Sequence, residues 1–171
     1  MSITENSFIV TDILNGDSRF GVTSVLFGPD GNLYSADITG TIYRYDIDPD
    51  TGLATSVTAI FESEGAQILG VKFDPSDDNA LWISYATRGE RHSGTISKID
   101  LTTGEETEYI TGLPNGADLE HQVNGIDFGP DGKLYISVGG TRSLGGDGTW
   151  SEPETPLSAA VVVADSGNRC G

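Results

Sequence analysis

The residues able to do chemistry are few, and most of them lie in the last third of the 171-residue chain. His121 is one of two histidines, and it stands immediately before an apolar run, Gln122-Val-Asn124-Gly-Ile126-Asp-Phe128. Imidazole changes its protonation near neutral pH, so it suits proton transfer. Gln122 and Asn124 add carboxamides that both donate and accept hydrogen bonds. The same position also suits a loop histidine hydrogen-bonded to the neighbouring turn. A Gly-rich loop from Gly139 to Pro156 carries Arg142, with several donors, and Trp150, with a flat aromatic face. That loop reads equally as a site or as a mobile connection whose Trp covers a neighbouring element.

Other candidates are weaker. His92, in Arg88-Gly-Glu-Arg-His-Ser-Gly94, reads as a solvated loop residue. Asp46, Asp48 and Asp50 have the spacing that opens an EF-hand, but glycine falls at the seventh place instead of the sixth and no Glu stands at the twelfth. A turn is the better reading. Cys170 is the single cysteine, so it forms no internal disulfide and no thiolate metal site. No Walker loop, Cys/His cluster or Ser-His-Asp arrangement is present, and cofactor chemistry does not follow from the residues alone.

The elements that would position these groups repeat. Phe27-Gly-Pro-Asp-Gly-Asn-Leu-Tyr34 and Phe128-Gly-Pro-Asp-Gly-Lys-Leu-Tyr135 are two copies of one unit, a strand, a tight turn and a second strand. Gly40-Thr-Ile and Gly94-Thr-Ile open a third strand, and Thr51-Gly52 and Thr103-Gly104 mark the turn to a fourth. Three such cycles predict strands a, b, c and d at about 22–64, 65–114 and 121–171, with Asp74 to Asn79 as a longer a–b turn in the second. From the strand-a Phe to the Asp closing strand c the spacing grows through 19, 27 and 37 residues, because the b–c loops lengthen. The third cycle shows no strand d, and residues 7–14 near the N-terminus resemble an unattached one.

The expected class is therefore all-β: a single β-propeller segment of three four-stranded blades, either a partial ring or half of a two-chain six-bladed ring. Twenty-three glycines and seven prolines agree with many short strands. The formal charge of −17 disfavours nucleic acid and anionic membrane as partners. No apolar run approaches a membrane span, and the N-terminus lacks the basic start and apolar core of a signal peptide.

His121-Gln-Val-Asn-Gly-Ile-Asp-Phe-Gly-Pro-Asp-Gly-Lys-Leu-Tyr-Ile-Ser-Val-Gly-Gly140, with the loop and Pro156-Leu-Ser-Ala-Ala that follow, resembles the glucose/sorbosone dehydrogenase-type propellers, which include soluble quinoprotein sugar dehydrogenases. The likeness runs through nearly the whole chain but corresponds to about half of a six-bladed ring. It implies that His121 is the general base taking the proton of a sugar C1 hydroxyl while hydride passes to pyrroloquinoline quinone (PQQ). Beside it, Gln122 and Asn124 can orient the sugar or quinone by hydrogen bonding, and by their residue types Arg142 can donate to a sugar or polyol and Trp150 can stack on its face. PQQ and calcium are the implied cofactors, and an extracellular or periplasmic setting the implied compartment. Two departures count against activity in a lone chain. Val138-Gly139-Gly140 replaces the acid that orients the base in those enzymes, and the residues that hold quinone and calcium belong to later blades. The alternative is a non-catalytic propeller binding carbohydrate or protein through its loop face.

Overall fold

A computed structural model describes residues 4–5, 8–14, 21–115, 121–140 and 155–165, with side chains from residue 10 onward. Arg142 and Trp150 lie outside the described residues. The described chain is built of strands. A short hairpin pairs β1 (Thr4–Glu5) with β2 (Phe8–Ile9). The first large sheet is an antiparallel meander of β3 (Val22–Phe27), β4 (Leu33–Asp37), β5 (Thr41–Ile47) and β6 (Ala54–Glu62). The second repeats it with β7 (Ala66–Asp74), β8 (Asp77–Thr87), β9 (Gly94–Asp100) and β10 (Glu106–Leu113). The third has β11 (Val123–Phe128), β12 (Leu134–Val138) and β13 (Ala160–Ala164). Among the described residues the outer edge of β13 carries no fourth strand. In the N-terminal segment β2 is taken up by its pairing with β1, and further along Ala54 N donates to Ile13 O at 3.1 Å, beside β6.

The repeat in the sequence becomes a repeat in register. Phe27, Phe73 and Phe128 lie opposite Leu33, Leu81 and Leu134, and each strand a carries one irregularity near its start. The two Phe-Gly-Pro-Asp-Gly turns close alike: Gly31 N donates to Gly28 O at 3.0 Å, and Gly132 N to Gly129 O at 2.9 Å. Gly31 and Gly132 take φ of +78° and +75°, a region a Cβ opposes. Tyr34 and Tyr135 then reach back to Asp30 and Asp131, each at 3.1 Å. Burial works to raise the Asp30 carboxyl. The hydrogen bonds from Asn32, Arg44 and Tyr34 outweigh it and hold the group below the usual range.

One turn differs from the sequence expectation, and another agrees with it. Asp74 pairs with Asp77 across the sheet, so the second a–b turn is tight and not the longer one expected of Asp74 to Asn79. Asp74 caps it by accepting from Ser76 N (2.9 Å) and Oγ (2.7 Å), and it also accepts from Trp82 Nε1 at 2.9 Å. In the first sheet the turn is capped by Asp48, which accepts from Asp50 N and Thr51 N as Asp100 does from Thr102 N and Thr103 N. Asp46 is instead tied to Arg44 at 2.8 Å and to Ser56.

The sheets stack face to face, and the core lies between them. Strand alternation on β8 divides its side chains between two neighbours. Leu81, Ile83 and Tyr85 pack toward the first sheet with Ala36, Ile42, Ile68, Val71 and Ile99. Trp82 packs the other way, with Ile96 and Leu113, onto Val123, Ile126, Leu134, Ile136 and Val138 of the third. Burial in the first of these cores pushes the Tyr85 hydroxyl up to about 12. Such stacked four-stranded meanders, with strand a innermost, are the blades of a β-propeller.

Candidate functional site

His121, Gln122 and Asn124 come together at the N-terminal end of β11, where the chain enters the third blade. His121 is half-buried and Gln122 is buried. Gly139, just past β12, brings the end of strand b against this segment. Its N donates to Gln122 O at 2.9 Å, and its carbonyl accepts from Ala159 N at 3.0 Å. A Cβ at Gly139 would stand only 3.0–3.2 Å from Gln122 O, Gln122 N and His121 C, so glycine permits the close approach. The Val138-Gly139-Gly140 sequence that lacks an acid thus serves to pin the backbone next to His121.

The side chain of Gln122 donates through Nε2 to Oε1 of Gln67, which is equally buried at the start of β7. Two carboxamides from adjacent blades therefore meet at one end of adjacent inner strands. Asn124 Nδ2 donates to Gln122 O at 2.9 Å, and Asn124 O accepts from Ser84 Oγ of the second blade. Gly70 allows the two blades to meet there, since its Cβ would lie 2.5 Å from Asn124 O and 2.6 Å from Ser84 Oγ. Gln67 was not a candidate on sequence grounds. The signal exists nonetheless: Gln67-Ile-Leu-Gly70 and Gln122-Val-Asn-Gly125 are the same four-residue pattern ahead of the same strand.

The other candidates fall elsewhere. His92 is exposed in the b–c loop of the second blade, with φ of +54°. That loop is clipped by Asn115, whose Oδ1 accepts from Ser93 N and whose Nδ2 donates to Glu90 O, each at 2.7 Å. Asp46 and Asp48 are engaged in the ion pair and the turn described above. Among the described residues no group of three or more His, Cys, Asp or Glu is placed to hold a metal ion. PQQ is a polycarboxylate and asks for cationic partners. The side chains gathered at His121 are neutral amides, so by themselves they do not fit a quinone–calcium pair.

The chain is a partial β-propeller. No protein-family model matches it, and no curated protein matches it by sequence. Solved structures do match the fold. The PQQ-bound aldose sugar dehydrogenase of Streptomyces coelicolor aligns with a TM-score of 0.63 at 21% identity, over 85% of this chain and 45% of that one. A putative oxidoreductase (glucose dehydrogenase) of Thermus thermophilus aligns at 0.55 and 20% identity, over 70% and 37%. A luciferin-regenerating enzyme aligns at 0.57 and 18% identity, over 86% and 46%. The chain spans less than half the length of each of these proteins. Among the described residues no helix is long and apolar enough to cross a membrane.

Proposed function

We propose that this chain is the sugar-recognising part of a sugar-dehydrogenase-like propeller, taking a sugar or polyol at the blade ends around His121. The observation that carries the reading is the Gln67–Gln122 amide pair beside His121 and Asn124, on a fold shared with proteins described as sugar dehydrogenases. Amide donors and acceptors on a rigid strand frame suit hydroxyl groups, which offer both roles at once. His121 is the proton acceptor for a bound hydroxyl, Gln122 and Asn124 orient the ring, and Arg142 and Trp150 of the following loop add donors and a stacking face. Oxidation belongs only to a completed ring, in which groups beyond this chain hold PQQ and calcium. The ring is completed by a second copy of the chain or by further blades.

Val138-Gly139-Gly140, standing where the resemblance implies an acid, favours one second reading, a non-catalytic propeller that binds carbohydrate or protein on the same loop face. Reconstitution with PQQ and calcium, read as aldose-dependent dye reduction, separates the two. The enzyme reading predicts activity that His121→Ala abolishes while aldose still binds. Aldose binding without dye reduction in an assembly shown to be a closed ring supports the binder. No binding of any aldose overturns both sugar readings.

A further inference from the structure

The blade–blade contact in this chain has a fixed composition. The Phe ending strand a of one blade packs on the aromatic residue of strand b in the blade before it. Phe73 meets Tyr34 at 5.0 Å between ring centroids and 82° between planes, and Phe128 meets Trp82 at 6.1 Å and 76°. Two residues earlier on strand a, Val71 and Ile126 are buried in the same contacts. On the receiving blades Ile42 and Ile96 of strand c are fully buried.

At the two ends of the stack the same positions stand open. Phe27 and Val25, at the places of Phe73 and Val71, are 67% and 60% exposed. Tyr135, at the place of Tyr34 and Trp82, is 36% exposed. Val161 lies opposite Ser137 as Ile42 lies opposite Ala36 and Ile96 opposite Ser84, and it is 71% exposed. The first face thus offers the inserting half of the repeat's own contact, and the last face offers the receiving half.

We propose that two copies of this chain associate with the first blade of each against the third blade of the other, Phe27 and Val25 of one copy covering Tyr135 and Val161 of its partner. Two such contacts use up both open faces, so the assembly closes on a two-fold axis at six blades. The proposal supplies the second copy as the partner that completes the ring in the reading above, but it does not need a sugar to be bound. With a formal charge of −17 on each chain, salt strengthens the association by screening repulsion.

Sedimentation equilibrium on the 171-residue chain, across protein and salt concentration, tests it. The expected species has twice the 18.0 kDa chain mass and is favoured by salt. Phe27→Ser and Val161→Ser, made separately, each weaken it at least tenfold while leaving the far-ultraviolet circular dichroism unchanged, because both side chains are already exposed in the single chain. Mixing the two variants restores a dimer through the one contact that remains wild type on both sides. A chain that stays single at millimolar concentration in high salt overturns the proposal. So does a dimer indifferent to both substitutions, or an open series of larger species. Aldose titration of the single-chain variants is read separately, so loss of the ring and loss of the sugar site give different results.

Discussion

Gly70 and Gly125 occupy equivalent places in the second and third blades, yet a methyl group would meet different surroundings at each. At Gly70 it would press against the Asn124 carbonyl and Ser84 Oγ, whereas at Gly125 its nearest neighbour would be Ser137 Oγ at 3.8 Å. Gly70→Ala is expected to destabilise the chain by about 1–3 kcal/mol through overpacking. Gly125→Ala is expected to be neutral or to stabilise by up to about 1 kcal/mol. Urea midpoints of the two variants check the contrast. The acidic residues set a second expectation. Hydrogen bonding from Lys72 lowers the Asp127 carboxyl across the blade boundary, and backbone and tyrosine hydrogen bonds lower Asp131. A lowered folded pKa stabilises above the unfolded value, near 3.9, and that stabilisation is lost as pH falls through the folded value. The thermal midpoint is therefore expected to fall in acid below about pH 4. Asp127→Asn should remove only a small part of that fall, since the exposed pair is worth roughly 0.2–1 kcal/mol.

At the scale of elements, one residue type in three equivalent places gives a graded test. Phe73 and Phe128 are half-buried between blades, so Phe→Ala there is expected to cost about 2–3 kcal/mol, somewhat less than for a fully buried ring. Phe27→Ala in the dilute single chain should stay within about 0.5 kcal/mol of neutral. Trp82, buried against the third blade and bonded to Asp74, should cost about 3–5 kcal/mol on conversion to Ala. Chemical denaturation at low protein concentration measures all four. The strands themselves are legible because Phe-Gly-Pro-Asp-Gly and Gly-Thr-Ile are local signals with local causes. The Asp74 turn is not, because Asp77, Asp78 and Asn79 look like loop residues. Cross-strand pairing with Asp74 overrides that preference. Gln67 is missed for the opposite reason: a single amide means nothing locally, and the Gln-x-x-Gly pattern it shares with Gln122 shows only when the second and third cycles are laid side by side.

For the whole molecule, the repeat determined the class of fold, but no local pattern reports which other blades the chain meets. Charge works at this scale too. If the two apolar faces associate as proposed, an excess of 17 negative charges per chain is expected to keep them apart at low salt and to let them meet as screening rises. The candidate site at His121 is partly legible, since the histidine and its neighbouring amides stand together in sequence. The partner amide and the glycine that pins the backbone depend on packing between strands. The most direct test of the account is an aldose titration followed by amide and side-chain NMR shifts. Saturable changes concentrated on Gln67, His121, Gln122 and Asn124, and diminished by Gln67→Leu, are the predicted result. Shifts that avoid the ends of β7 and β11, or no shifts at any aldose concentration, would contradict it.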